Sequence, residues 1–335
     1  MEDVVLGLGA VAVSTVVVFA YLVVIWWLDR YEREPFAVVL FAFLWGGLGG
    51  TMLGCGLTMA LSIPFEQLTT AVYSEILFAV VTAPIAEELT KGLVFVFLLA
   101  TPYLDNETDG LIYGAAAGLG FAVVENSFYF LATASAGPEI FYATLVVRTL
   151  FTALVHAIST ALLGYAIGYV RHRKLTPWLW LWPILGLTLA VINHGLWNFL
   201  AHVSGSELLS EEMAAGAMGL GMTFVFFMSA AMFIITQISL MREQKIIGEY
   251  LQDEASRGTL PEEHARIIPS WRTRRKDDWL PPQIPKKEYV EAATMLAFRR
   301  YQFDTAARRH QKKHRREIER YRRKVKKLRS RQVSE

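Results

Sequence analysis

The chain has 335 residues, 53% of them hydrophobic, a composition typical of integral membrane proteins that argues against a soluble single-core enzyme. Its formal net charge is only +2, yet all but seven of its 33 Lys and Arg residues lie after Leu240. We therefore predict a transmembrane domain at 1–240 and a basic, largely helical tail at 241–335. The single cysteine, Cys55, excludes an intrachain disulfide and a cysteine-based metal site.

Seven apolar windows are long enough to cross a bilayer, which takes about 20 residues of helix. The sequence thus predicts an all-α, polytopic bundle of about seven transmembrane helices. The first window follows an acidic N-terminus and is too long for the apolar core of a signal peptide, so we expect it to be retained. The windows are about 4–28, 36–63, 72–100, 111–133, 141–170, 178–202 and 213–240.

Basic residues indicate which connections face the cytoplasm. Arg30 and Arg33 follow the first window, and a basic cluster at 171–174 follows the fifth. The connections on the opposite side contain no Lys or Arg. The positive-inside rule then predicts a multi-pass protein of the cell membrane with its N-terminus outside and its C-terminus in the cytoplasm.

Small residues recur at helical spacing in two windows. Gly46, Gly50 and Gly54 form one ladder, and 110–118 carries a second ladder with glycine at every fourth position. Such ladders let helix backbones approach closely in lipid. We predict that both are helix-packing surfaces.

Ionisable residues interrupt four of the windows. The stretch TAPIAEELTKGL, Thr82–Leu93, places Glu87, Glu88 and Lys91 near the middle of the third window. A charge at the centre of a membrane helix costs about 2.5 to 3.5 kcal/mol, so we expect these groups to face one another. The other polar residues of interest are Glu125, Asn126, His156, His194 and Asn198.

Carboxylates beside imidazoles are suited to activating a water molecule. Two histidines with one or two glutamates are also a plausible zinc site that leaves a position open for water. Asn198 is placed to donate a hydrogen bond to a developing oxyanion, and Lys91 to pair with a glutamate. The same residues suit a proton- or ion-coupled transporter, although no inverted repeat is visible, and a third possibility is a membrane anchor that presents the tail.

The tail continues as a polar helical stretch to about Ser256, a Pro- and Trp-containing connector and a long helical pattern from 286 to about 331. Its last thirty or so residues are strongly basic. A basic segment beside a membrane is attracted to anionic lipid. Nucleic acid would be attracted in the same way, but no base-reading fold accompanies the segment, so we favour anionic lipid or a protein partner.

The polar residues of the windows also form a recognisable order along the chain. DRYEREP at 29–35 precedes the doubled glutamate and Lys91, then Phe121 four residues before Glu125. His156 with Thr160 and His194 with Asn198 complete the series. This order resembles the PrsW-type intramembrane proteases, which are distantly similar to the CAAX prenyl endopeptidases.

The resemblance implies a peptidase that cleaves a membrane-anchored protein, such as a membrane-bound regulator, within or beside the bilayer. Glu87 and Glu88 would supply the water-activating carboxylate, with Glu125, His156 and His194 as co-catalytic groups. Lys91 and Asn126 would support them, and Asn198 would serve the oxyanion. The resemblance leaves open whether a metal is present; if one is, its implied ligands are Glu88, Glu125, His156 and His194.

Overall fold

The structure, a computed structural model, describes residues 1–68, 71–171, 173, 176–206, 209–305 and 308–330. Within these ranges every regular element is a helix, and no strand occurs. The all-α fold class is therefore confirmed.

Contacts divide the chain into two compact units. Unit 1 contains Met1–Leu28, Glu34–Arg171 and Pro177–Ile235. Unit 2 contains Asp29–Arg33, His172–Thr176 and Thr236–Glu335. One long helix, Glu211–Ser256, contributes residues to both units.

Unit 1 is a bundle of apolar helices. Its helices are α1 (Glu2–Leu28), α2 (Phe36–Leu44), α3 (Thr51–Leu68), α4 (Ala71–Leu77), α5 (Ala83–Gly92), α6 (Val94–Leu98), α7 (Glu107–Thr133), α8 (Pro138–Val147), α9 (Ala153–Val170), α10 (Leu181–Ser204) and the first part of α11 (Glu211–Ser256). Helix α7 lies at the centre of the core and packs against α9, α1 and α2.

Six stretches of the described residues are continuous helices that are long and apolar enough to span a membrane, in agreement with a polytopic bundle. The predicted window 72–100 is not among them, because Glu75, Glu87, Glu88 and Lys91 make it more charged. It forms a helical series from α4 to α6. The six candidate spans are Glu2–Leu28, Phe36–Pro64, Glu107–Thr133, Pro138–Val170, Trp178–Ser204 and Glu211–Ser256.

Three π-helical turns interrupt the helices of unit 1. They occupy Trp45–Gly50, Phe78–Thr82 and Arg148–Thr152. The second leads directly into α5 and the third into α9, which are the helices that carry Glu87 and His156. Such turns occur frequently at functional sites because they shift the side chains that follow them around the helix.

The second glycine ladder packs α7 directly on α9. A Cβ atom added to Gly118 would lie 2.2 Å from the carbonyl oxygen of His156, and one added to Gly114 would lie 2.4 Å from that of Thr160. Because only glycine permits this approach, the ladder sets the distance between the two backbones. Gly46 is similarly close to Ala117, so the predicted packing roles are confirmed at these positions.

Unit 2 is a separate helical unit with its own core. It contains the end of α11, α12 (Glu262–Ile267), α13 (Lys286–Thr305) and α14 (Arg308–Ser330). The helical pattern predicted from 286 to about 331 is thus two helices that pack on each other, because apolar residues of both enter the same core. Residues 306–307 and 331 of that pattern lie outside the described residues.

Candidate active site

Helix α5 brings two carboxylates and one ammonium group together inside unit 1. Lys91 follows the two glutamates by one helical turn, so all three side chains meet on one side of the helix. Lys91 Nζ lies 2.8 Å from Glu88 Oε1 and 3.4 Å from Glu87 Oε2. The side chains of Lys91 and Glu88 are fully buried, whereas that of Glu87 is 14% exposed. Of the two glutamates, Glu87 is therefore the one that water can reach.

Lys91 also joins α5 to α9. Its Nζ lies 2.9 Å from His156 Nδ1 and 3.9 Å from the centroid of the Phe121 ring. An ammonium group can only donate hydrogen bonds, so His156 Nδ1 accepts one. The neutral ring then carries its proton on Nε2, the atom that faces Glu125.

Glu88 accepts hydrogen bonds from three helices. Its Oε1 accepts a hydrogen bond from Lys91 Nζ, and its Oε2 accepts one of 2.8 Å from Thr160 Oγ1 of α9. His194 Nδ1 of α10 lies 3.0 Å from Oε1, and because a carboxylate is an acceptor, Nδ1 donates. His194 Nε2 is then free of a proton in the neutral ring, and it lies 3.7 Å from Glu87 Oε2. Glu88 therefore orients His194.

Glu125 of α7 lies on the other side of His156. Its Oε2 is 2.7 Å from His156 Nε2 and 2.8 Å from Arg148 Nη2. Arg148 Nε donates to Asn126 Oδ1 at 3.0 Å, and Asn126 Nδ2 donates back to the Arg148 carbonyl at 3.2 Å and to Ser14 Oγ at 3.3 Å. The guanidinium group also lies over the Tyr129 ring, 3.5 Å from its centroid. Arg148 is thus fixed against Glu125 from several directions.

The two imidazoles stand side by side between these carboxylates. The centroids of the His156 and His194 rings are 4.7 Å apart, and the rings are almost perpendicular. Ligand atoms of Glu87, His156 and His194 all lie within 4.8 Å of one another. In addition, His156 Nε2 and Glu125 Oε2 are buried without a well-aligned hydrogen bond. Two imidazoles and a carboxylate that converge in this way fit a zinc-type metal ion.

The structure thus brings the predicted site residues close together. Two features of their contacts were not predicted: which glutamate joins the converging ligand group, and the partner of Asn198. The ligand group that converges contains Glu87, whereas Glu88 and Glu125 are held by Lys91 and Arg148. Asn198 donates to the carbonyl of Ala79 in the π-helical turn before α5, at 2.9 Å.

Sequence reasoning also missed some contacts. It gave Arg148 no place in the site, although an arginine inside an apolar window is itself a signal that a buried carboxylate partner exists. The hydrogen bond of 2.7 Å from Asn193 Nδ2 to Ser159 Oγ, which joins α10 to α9, was missed as well. An asparagine and a serine in apolar windows give little warning of such a pair.

Comparison with known proteins identifies the family to which the chain is similar. A family model described as PrsW family intramembrane metalloprotease matches residues 34–235. Protease PrsW of Geobacillus kaustophilus is 30% identical over 199 residues, which cover 58% of this chain and 77% of that protein. Protease PrsW of Bacillus subtilis is 25% identical over 175 residues, covering 51% of this chain and 73% of that protein.

No solved structure matches the chain. The family match includes the helices that carry all seven ionisable groups of the site and ends at residue 235, where unit 1 also ends. The chain belongs to the PrsW family of intramembrane metalloproteases.

Proposed function

We propose that this chain is an endopeptidase that hydrolyses a peptide bond of a membrane-anchored protein, using a water molecule activated in the site of unit 1. The observation that carries the proposal is the convergence of Glu87, His156 and His194 within 4.8 Å, with both histidines on helices that are apolar enough to span a membrane. Membership of a protease family supports the reaction type.

Glu87 is the carboxylate best placed to take a proton from water. Its side chain is partly exposed, while the Glu88 side chain is enclosed by Lys91, Thr160 and His194. Glu88 instead holds the His194 ring with Nε2 directed toward Glu87. Glu125 lies on the opposite side of the cluster, with its Oε2 2.7 Å from His156 Nε2.

A metal ion, if one is bound, would be held by Glu87, His156 and His194, and at His156 it would replace the hydrogen bond from Lys91, because a neutral imidazole has only one lone pair. It would supply Lewis-acid polarisation of the scissile carbonyl and a hydroxide nucleophile at neutral pH. In that case Glu125 is the carboxylate left to exchange protons with the substrate, because its side chain is 22% exposed and it lies outside the converging group.

Asn198 serves the oxyanion in this proposal. One of its two amide N–H groups is used by the Ala79 carbonyl, which fixes the side chain. The second N–H is available to a developing negative charge on the substrate. The transporter and anchor alternatives have no comparable support, since the relatives are proteases and the ionisable groups converge on one another.

We further propose that the N-terminus is outside the cell membrane and the C-terminus in the cytoplasm, as the distribution of basic residues indicates. Anionic lipid is the partner proposed for the basic tail, and nucleic acid is disfavoured.

The test is cleavage of a panel of single-span membrane proteins by the purified chain in lipid vesicles. Glu87→Gln and His194→Ala should abolish product formation, with thermal unfolding close to that of the wild type. Glu75→Gln, which changes an exposed glutamate of α4, is the matched control and should cleave as the wild type does. Unchanged cleavage by Glu87→Gln would overturn the assignment of this residue.

Metal dependence is tested on the same proteins. Elemental analysis of the purified chain should find a divalent ion that is lost from Glu87→Gln and His194→Ala but retained by Glu75→Gln. Cleavage that persists in a strong chelator, by protein free of metal, would instead support a glutamate-dependent mechanism without a metal.

A further inference from the structure

Helix α14 has two faces of opposite chemistry. Ile318, Val325 and Leu328 are buried in the core of unit 2, together with apolar residues of α13 and α11. Eight Lys and Arg residues of α14, between Lys312 and Lys327, are exposed, and Glu319 is the one exposed acid among the described residues of this helix. We call these eight residues the basic face.

Part of the positive charge of the tail is neutralised inside unit 2. Arg322 and Arg300 both bind Glu254, which is fully buried, and Arg299 pairs with Glu317. Among the described residues, the basic face has no comparable set of acidic partners, because the one exposed acid of α14, Glu319, pairs with Arg322. Its charge is therefore directed toward solvent, along a helix about 35 Å long at 1.5 Å per residue.

The position of unit 2 along the chain favours a membrane as the partner. Helix α11 contains a candidate span and continues without interruption into the core of unit 2, where Ile247 and Leu251 are buried. Only about two helical turns separate Leu240, the end of the apolar window, from Ile247. Along the chain, unit 2 therefore begins within about two helical turns of a candidate span, and anionic headgroups are the complementary charge found at a bilayer surface.

We propose that the basic face of α14 binds the headgroups of anionic phospholipids electrostatically, without insertion of the helix into the hydrocarbon region. Amphipathic helices that insert do so with their apolar face. In α14 that face is already buried in unit 2. This interaction assigns a surface and a binding mode to the lipid partner proposed for the tail, and it does not depend on the proposed peptidase activity.

The test uses the full chain in nanodiscs, with a fluorescent donor on the tail and an acceptor on lipid headgroups. Cys55→Ser removes the only native cysteine, and Ser330→Cys places the donor at the end of α14 without removing a basic residue. Energy transfer should rise when phosphatidylserine is added to phosphatidylcholine. The rise should be lost on increasing salt from about 0.1 M to about 1 M, because the screening length falls from about 10 Å to about 3 Å.

Two charge variants distinguish the contribution of the basic face to lipid binding from that of the other basic residues of unit 2. Replacing Arg315, Arg316, Arg323 and Lys324 with Gln should remove the phosphatidylserine-dependent rise. The matched control removes the same charge elsewhere, by replacing the exposed Lys245, Arg257, Arg266 and Lys287 with Gln, and should keep the rise.

Three results would overturn the proposal. One is equal energy transfer in neutral and anionic nanodiscs. This comparison uses the unmodified basic face, so it does not require any charge variant to fold. Another is quenching of the donor by lipids brominated on their acyl chains, which would indicate insertion. The third is binding of the tail to a short DNA duplex that is tighter than its binding to anionic nanodiscs at the same salt concentration, which would favour nucleic acid as the partner.

Discussion

The ammonium group of Lys91 on α5 lies 2.9 Å from Nδ1 of His156 on α9. One buried cation therefore connects the helix of the two glutamates to the helix of His156. The same nitrogen is 2.8 Å from Glu88 Oε1, and the side chains of Lys91 and Glu88 are both fully buried. Lys91 therefore fixes the hydrogen-bonding state of His156 and neutralises a charge that has no access to water.

Replacing Lys91 with Met should destabilise unit 1. Breaking a buried ion pair by removing one partner leaves the other charge uncompensated, at a cost of about 3 to 5 kcal/mol. The loss should appear as a lower thermal unfolding midpoint in detergent. The double variant Lys91→Met/Glu88→Gln should recover most of this stability and remain inactive. A double variant as unstable as the single one would show that packing against Phe121, rather than charge, is the main role of Lys91.

Much of this arrangement follows from the sequence, but the assignment of roles to neighbouring residues does not. The apolar windows and the ionisable residues within them predicted a helical bundle with a polar cluster. Glu87 and Glu88 are adjacent, and successive side chains of a helix point about 100° apart, so tertiary packing decides which one is enclosed. In the structure Thr160 and His194 enclose Glu88.

The contacts of Arg148 also could not be read from the sequence. An arginine near the end of an apolar window, as Arg148 is, favours a side chain that reaches the interface or pairs with a neighbour. The π-helical turn that begins at Arg148 precedes α9, and the side chain binds Glu125 and Asn126 of α7. A regular helical pattern read from the sequence does not reveal such a turn.

Arg148→Gln should reduce cleavage by about 10- to 100-fold, the usual range for groups that orient a catalytic residue through a hydrogen bond. The reduction should fall on kcat, with KM nearly unchanged, because Arg148 acts through Glu125. Arg148→Lys should retain part of the activity, since it keeps the charge but loses the paired contact with Asn126. Steady-state kinetics in vesicles measure both effects. Equal activity of Arg148→Gln and wild type would remove Arg148 from the site.

Gly118→Ala should disrupt the site from a distance. The new methyl group would lie 2.2 Å from the His156 carbonyl oxygen, so α7 and α9 must separate. Overpacking of this kind costs about 1 to 3 kcal/mol, and it should lower cleavage because His156 and Thr160 move with α9. Gly56→Ala, where no atom lies within 4 Å of the added carbon, is the control and should be neutral in thermal unfolding and cleavage. A stable and fully active Gly118→Ala variant would contradict the close packing of these helices.

The stability of unit 2 should decrease as the pH falls, through His264 of α12. Burial lowers the pKa of His264 below its usual value of 6.5; nearby Glu263 opposes the shift and Arg329 adds to it. The ring lies between Trp279 and Tyr289, and its Nδ1 is 2.9 Å from the Tyr289 hydroxyl. Above about pH 6.5 the ring is neutral in both the folded and unfolded states. Below it the unfolded state binds the proton more readily, so the free energy of unfolding falls.

The measurement is the urea concentration at the unfolding midpoint of unit 2 in the full chain, at pH values between 7.5 and 5.5. The protease resistance of the tail serves as the signal for unfolding. His264→Gln should have a lower midpoint at pH 7.5 and a flatter dependence on pH, because the titrating group is gone. Tyr289→Phe is the matched control: it should lose about 1 kcal/mol with the hydrogen bond but keep the pH dependence, because His264 stays buried. A pH dependence of the same slope in His264→Gln would place the responsible group elsewhere in unit 2.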